Sequence, residues 1–293
     1  MTNIKSYDFT EEKNKIEKGV LYLVATPIGN MSDISERAVK VLTNVDFVAA
    51  EDTRNSGKLL SYFGIKQNYV SYHEHNKAEV GNKIVERLIN GETCALVTDA
   101  GMPAISDPGE DLVRLCGENG IKVTCVTGAC ALTTALVLSG LSTRRFSFEG
   151  FLNGTNNEKK AFLDKIKDDD RTLIFYEAPH KLKLTLDLMF TVFGNRKITL
   201  CRELTKINEE INRTTIEEAV DLYKSKEPRG EYVLIVEGAA SKTSNDWENL
   251  SIDEHIAFYV ENTGISKMDA IKKVAKDRGV PKGEIYKATI KND

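Results

Sequence analysis

Residues 93–109 read Thr93-Cys-Ala-Leu-Val-Thr-Asp-Ala-Gly-Met-Pro-Ala-Ile-Ser-Asp-Pro-Gly109, and the fold is decided here. Cys94 to Val97 is a short apolar run of the length and composition of a strand buried on both faces. It stops at Thr98-Asp99, and a loop holding Gly101, Pro103, Pro108 and Gly109 follows. Asp107 is expected as the N-cap of the next helix, with Pro108 in the first helical position, where a missing N–H costs nothing. Strand, small-residue loop and helix in that order is how open α/β sheets present a ligand site at the carboxyl ends of their strands. Gly101 leaves room for a ligand close to the backbone, and Asp99 at the strand tip can accept hydrogen bonds. The same pattern equally describes a tight βα turn that binds nothing.

Working outward, the 293 residues are 41% hydrophobic and carry a net charge of −4. A chain of that size can bury a large core in two domains with an appendage. The acidic balance argues against a generic binder of polyanions. No apolar run approaches a membrane-spanning length, and residues 1–18 read as a polar leader without a signal-peptide core. The five cysteines, Cys94, Cys116, Cys125, Cys130 and Cys201, are odd in number and form no C-x-x-C pair. Buried free thiols are expected of them, rather than disulfides or a metal site.

Upstream, Gly19–Asn30 is a strand that ends in the loop Thr26-Pro-Ile-Gly-Asn30, and Ser32-Asp33 is expected to cap the helix after it. Asp46–Ala50 is a strand delivering Glu51-Asp-Thr-Arg54. Asn55–Phe63 is helical, Tyr69–Tyr72 a short strand, and Ala78–Asn90 an amphipathic helix closed by Gly91. Downstream come helix Glu110–Asn119, strand Lys122–Val126, the turn Thr127-Gly-Ala-Cys130 and helix Ala131–Ser139. A second run of alternating elements starts near Phe146: strands Phe146–Glu149, Thr172–Tyr176, Lys197–Cys201 and Tyr232–Glu237. Helices up to Lys167, over Lys181–Phe193 and over Ile216–Lys224 separate them. This alternation predicts α/β architecture in two lobes, 19–143 and 144–240. A polar linker then leads to a small helical module, 251–293.

Several chemistries lack their motifs. The chain has no G-x-G-x-x-G after the first strand, no G-x-x-x-x-G-K-[ST] and no H-E-x-x-H, so a nicotinamide oxidoreductase or P-loop nucleotidase has little support. His73 and His75, two apart on a strand end, offer only two ligands, and no metal site is expected.

The blocks LYLVATPIGN, AAEDTR, VTDAGMPAISDPG, FSFEGFL, RTLIFYEAPHKL, CRELTK and RGEYVLIVEG occur in the order and spacing of one bacterial family. Over residues 19–240 the chain resembles the small-subunit (16S) rRNA 2′-O-ribose cytidine methyltransferases of the tetrapyrrole methylase superfamily. The resemblance implies a two-lobed class III methyltransferase fold with S-adenosyl-L-methionine (AdoMet) folded into the cleft. It also implies a cytoplasmic homodimer whose partner is 16S rRNA or the small ribosomal subunit. Carried over by position, AdoMet is expected against Pro27, Asp99, Ala100, Gly101, Ile105, Cys130, Ala131 and Tyr176. Tyr176 is also readable as a core aromatic, and Pro27 as a turn proline. Where the family usually has Pro-Gly-Pro this chain has Thr127-Gly128-Ala129, which predicts a looser turn because two fixed φ angles are lost.

Methyl transfer to a ribose oxygen gains chiefly from near-attack positioning, and a base or a cation near the leaving proton helps. Glu51, Asp52 and Arg54 at one strand tip are the candidate catalytic group. A surface ion pair is the alternative, and His73, Glu177 and Glu203 lie at other tips. Basic residues such as Arg144, Arg145, Lys181 and Arg202 are individually more typical of solvated surface. From Gly264 to Lys291 eight Lys or Arg face three Asp or Glu, a net +5, in a helix–turn–helix-like pattern with Met268, Ile271, Val274 and Ala275 on one face. RNA binding or a helical cap both suit it. The competing functions are a same-fold methyltransferase acting on a tetrapyrrole or a protein, and a non-catalytic ribosome-binding protein. The first would lack the basic tail and have a wider glycine-rich first loop.

Overall fold

The computed structural model describes residues 15–240 and 250–290. Most of the leader and of the linker expected from the sequence therefore lies outside the described residues. Two compact units are present, one ending at Gly238 and the other beginning at Ala239.

The first unit contains two sheets. Strands β1 (Val20–Val24), β2 (Phe47–Ala50), β3 (Tyr69–Ser71), β4 (Cys94–Val97) and β5 (Lys122–Val126) form a parallel sheet in the order β3-β2-β4-β1-β5. Helices α1 (Glu36–Asn44), α2 (Thr53–Tyr62), α3 (Lys77–Ile89) and α4 (Gly109–Glu118) connect them. Side chains alternate across the pleat. In β4, Ala95 and Val97 pack with Val41, Leu42 and Leu60, while Cys94 and Leu96 pack with Ile84, Leu88 and Leu112. All four β4 residues are buried, which is why the run reads as unbroken apolar sequence. Because the strands are parallel, the tips of β1, β2 and β4 open at one edge of the sheet.

The second sheet is mixed. Its strands are β6 (Phe146–Phe151), β7 (Thr172–Glu177), β8 (Lys197–Arg202), β9 (Glu210–Thr215) and β10 (Tyr232–Val236), in the order β6-β7-β10-β8-β9. Only β6 and β7 run parallel; the other pairs are antiparallel. Helices α6 (Asn156–Ile166), α7 (Pro179–Phe193) and α8 (Ile216–Ser225) cover one face through Leu163, Leu186, Met189 and Ala219. Helix α5 (Ala131–Ser139) covers the other, where Leu132, Ala135 and Leu136 meet Ile174, Val233 and Ile235. The last helix of the segment 19–143 thus lies on the second sheet, since its apolar face matches the alternate residues of β7 and β10.

Two local expectations are corrected, and one strand is added. Ser32-Asp33 lie in a one-turn 3₁₀ helix, Met31–Asp33, and Ser35 is the N-cap of α1, accepting from the Ala38 N–H. Strand β9 carries no apolar run; its sequence EINRTT is held by six-residue pairing with β8 at the sheet edge. At α4 the N-cap position belongs to Pro108, and the Asp107 carboxylate divides between the first N–H of α4, at Gly109, and two N–H groups of the loop before it.

The second unit packs α9 (Ile252–Thr263), α10 (Lys267–Asp277) and α11 (Lys282–Ile290) around Ile256, Ala270, Ile271, Val274, Ala275 and Ile285. Met268, expected on the apolar face, is 47% exposed. It lies at the edge of the buried stripe of α10, which runs through Ala270, Ile271, Val274 and Ala275.

Candidate active site

The β4–α4 loop is held in an uncommon shape. Gly101 has φ +84° and exchanges two backbone hydrogen bonds with Thr26 at the tip of β1, at 2.9 and 3.1 Å. A Cβ on Gly101 would stand 3.1 Å from Ile28 Cγ2, so a side chain there would press on Ile28 and add the strain of a left-handed backbone. Ala104 and Ser106 also have positive φ, +67° and +63°, a cost of about 1 kcal/mol each or more for residues with a Cβ. The Asp107 carboxylate offsets it. Its Oδ1 accepts from the N–H groups of Ala104 and Gly109 at 3.0 and 2.8 Å, and its Oδ2 accepts from Ile105 at 3.0 Å.

This loop forms one wall of a cavity of about 540 Å³ between the two sheets, within the ordinary range for small-molecule sites. Ile28, Glu51, Asp99–Met102 and Ile105–Asp107 line it from the parallel-sheet side; Cys130, Ala131, Phe151, Tyr176–His180 and Glu231–Val233 line it from the other. Tyr176 is the aromatic centre of the wall. Its ring packs edge-on against Phe148 and Phe151, with centroids 4.9 and 5.5 Å away. Its hydroxyl accepts the Leu132 N–H at 3.2 Å, satisfying a first-turn donor of α5 that the helix leaves open. Burial pushes the Tyr176 phenol up to about 12, so it stays neutral.

Five carboxylates line the same space: Glu51, Asp99, Asp107, Glu177 and Glu231, the last paired with Lys206. Glu177 is buried and fully engaged, accepting from the Ala178 N–H at 2.8 Å and from the Thr185 hydroxyl at 2.5 Å. Asp99 accepts from Asn55 Nδ2 at 3.2 Å, which ties the β4 tip to α2. Glu51 is at the mouth of the cavity. Its carboxyl is held above the usual carboxylate range, first by partial desolvation and then by the charges of Asp99 and Asp107; His73 opposes the shift.

Of the residues expected at a cofactor, Asp99, Ala100, Gly101, Ile105, Cys130, Ala131 and Tyr176 line this cavity. Pro27 is buried beside it, and its neighbour Ile28 supplies the lining. Of the three candidate catalytic residues only Glu51 reaches the cavity. Asp52 is the N-cap of α2, accepting from the Arg54 N–H at 2.8 Å, and the Arg54 guanidinium folds back onto its carboxylate at 2.9 and 3.1 Å. That bonding holds the Asp52 carboxyl down at about 2. Phe151, Glu177, His180, Glu231 and Val233 were not expected as lining residues. Register brings the last two in, for Val233 lies opposite Tyr176 across the β10–β7 ladder.

Several basic residues of the two lobes are engaged in ion pairs at the surface. Arg145 pairs with Asp170, Lys160 with Asp164, Lys183 with Glu227, and Lys206 with Glu203 and Glu231. The five cysteines are free thiols; Cys94, Cys116 and Cys201 are buried, whereas Cys125 is exposed on the edge strand β5.

Residues 20–220 match the family Tetrapyrrole (Corrin/Porphyrin) Methylases. A protein of Halalkalibacterium halodurans named ribosomal RNA small subunit methyltransferase I is 50% identical over 273 residues, covering 92% of this chain and 94% of that one. The protein of the same name from Bacillus subtilis is 46% identical over 278 residues, covering 94% and 95%. Among solved structures, diphthine synthase shares the fold at a TM-score of 0.57 and 16% identity, over 75% of this chain and 90% of its own. Uroporphyrin-III-C-methyltransferase from Thermus thermophilus gives 0.54 at 18%, over 75% and 94%. With two α/β sheets enclosing one cavity, and relatives this similar over nearly the whole length, the chain belongs to the tetrapyrrole methylase family and, within it, to the ribosomal RNA small subunit methyltransferase I group.

Proposed function

We propose that this chain is an AdoMet-dependent methyltransferase acting on the ribose 2′-hydroxyl of a cytidine in the decoding region of 16S rRNA. The observation that carries the reading is that one cavity gathers seven of the eight residues the resemblance assigns to AdoMet, from both sheets. The lining suits the cofactor's chemistry. Carboxylates offset a sulfonium and an ammonium charge, Ile105, Phe151 and Tyr176 offer apolar surface to an adenine, and Gly101 is a place a side chain would fill. The names of the relatives support an rRNA substrate. A homodimer acting in the cytoplasm belongs to the same reading and rests on the resemblance.

AdoMet supplies, when bound, a methyl group activated by a positive sulfur. What the protein adds is position and a proton acceptor. Asp107 fixes the loop that carries Ile105, and the packed aromatic wall keeps water from that side. Glu51, at the mouth, would take the proton of the ribose hydroxyl as that oxygen bonds the methyl carbon and the carbon–sulfur bond breaks, leaving a neutral thioether. Asp52 and Arg54 secure the start of α2 just behind it.

The test is transfer of labelled methyl from AdoMet to small subunits from a strain lacking this modification. Label should appear at one cytidine, in a dinucleotide that resists alkaline cleavage, because a 2′-O-methyl group blocks attack on the adjacent phosphate. Label on a base, on protein or only on a tetrapyrrole would overturn the proposal.

The C-terminal unit has a role in the same reading. Its net +5 segment sits on a chain of net −4, and phosphate contacts position a protein without reading sequence. Removing residues from Ser251 onward should leave AdoMet affinity unchanged and raise KM for small subunits. The log–log salt slope of binding should flatten by about 0.7–0.9 per lost phosphate contact. Unchanged KM and slope would remove the unit from the RNA site.

A further inference from the structure

A second cavity, of about 610 Å³, lies next to the first; its walls include Arg202, Asn208, Lys226, Arg229 and Tyr232. Tyr232 lines both cavities. On β10 it stands opposite Glu177 on one side and Arg202 on the other, and Glu177 lines the first cavity and Arg202 the second. The second cavity is lined by charge, where the first is largely apolar on its far wall.

The charge is not evenly balanced. Arg202 Nε and Lys226 Nζ share a single carboxylate, Glu210, at 3.0 and 3.3 Å. Glu203 and Glu227 are taken by Lys206 and Lys183. Arg229 makes no ion pair or hydrogen bond among the described residues, and it is exposed. A planar fork of N–H donors with no partner, flanked by two cations that share one acid, suits an anion with several oxygens. The site is also preformed. Glu203 is held at φ +50° and Gly230 at +76°, and a Cβ on Gly230 would come within 2.6 Å of the Glu203 side chain. A side chain at 230 would therefore displace Glu203 from its place in the pocket wall.

We infer that this cavity binds the phosphodiester backbone of the nucleotide adjoining the one whose ribose enters the first cavity. The inference rests on the RNA reading above, and it extends that reading by assigning Arg229 and Lys226 as backbone contacts. Phosphate grips of this kind set register, leaving selection to the base and ribose.

The experiment uses the full-length protein and its Arg229→Ala and Lys226→Ala variants, with Lys165→Ala on α6 as a charge control. Methylation of unmodified small subunits gives KM, and anisotropy with a short single-stranded oligoribonucleotide gives affinity against salt. Arg229→Ala should raise KM and the oligonucleotide Kd about tenfold and flatten the salt slope by about 0.7. Lys226→Ala should act in the same direction, while AdoMet affinity and Tm stay at wild-type values and Lys165→Ala changes nothing. Wild-type KM, Kd and slope in both pocket variants would overturn the inference. So would inorganic phosphate binding as tightly as the oligonucleotide, which would mark a free-anion site. If the wild-type protein binds AdoMet but methylates no small subunit, the functional reading fails, and the oligonucleotide measurement still decides the pocket.

Discussion

Glu51→Gln should lower the rate constant of methyl transfer by about 10²-fold or more while AdoMet affinity stays within about twofold. A positioned base contributes on that scale, and a group acting chiefly in the transition state shows its loss in kcat rather than in binding. The pH dependence separates a base from a mere contact. Partial desolvation and the charges of Asp99 and Asp107 hold the Glu51 carboxyl above its ordinary value, and only the ionised form accepts a proton. The wild-type rate should therefore climb as pH rises through that elevated value and then level off, and the climb should vanish in the Gln variant. Stability moves the other way. A carboxyl whose folded pKa exceeds its unfolded one binds its proton more tightly in the folded state, so its contribution is full at low pH and is lost as pH rises through the folded value. Glu51→Gln should then be no less stable than wild type at neutral pH. A variant with wild-type kcat, or with the same pH profile, would leave the transfer to positioning alone.

What the chain discloses before folding, and what it withholds, follows from where the determinants lie. The β4 strand is legible because a parallel sheet buries both faces, leaving an unbroken apolar run that ends in small residues. Gly101 sits four residues past the end of β4, so order along the chain marks it as open to a ligand, whereas Ile105 and Cys130 are placed only by the resemblance. Strand β9 is illegible for the opposite reason: at the edge of a sheet its register with β8 comes from the partner, not from its own polar residues. Phe151, Glu177 and Val233 reach the cavity only because β6, β7 and β10 are neighbours, an adjacency that no local pattern encodes. Asp52 carried a readable signal, since Asp before a helix is a favoured N-cap. Its return hydrogen bonds to Arg54 explain why two of three clustered charges serve the helix and one serves the cavity. Asp107 carried the same signal, and it meets the first N–H of α4 at Gly109 while also holding two N–H groups of a loop bent into positive φ.

Asp107→Ala is expected to damage both that loop and the site built on it. The carboxylate accepts three backbone N–H groups, from Ala104, Ile105 and Gly109, and hydrogen bonds to a charged group contribute about 1.5–3 kcal/mol each when lost singly. The three share one side chain and are not additive, so a total near 3 kcal/mol is expected. For a unit of this size that is a fall in Tm of about 6–12 °C. With the clamp gone, Ala104 and Ser106 can leave the left-handed region and carry Ile105 away from the cavity. AdoMet affinity should therefore drop at least tenfold, as titration calorimetry would show. Asp107→Asn keeps an oxygen for Ala104 and Gly109 and presents Ile105 with a donor instead of an acceptor, so it should fall between the two. Ala104→Gly in the Asp107→Ala background should recover about 1 kcal/mol, because glycine adopts φ +67° without a Cβ penalty. Removing this charge also removes one of the influences that raise Glu51, so the pH–rate profile of the surviving activity should shift toward lower pH. Unchanged Tm and AdoMet affinity in Asp107→Ala would mean that the loop holds its shape without the clamp, and that the cavity wall is set by the Gly101–Thr26 bridge alone.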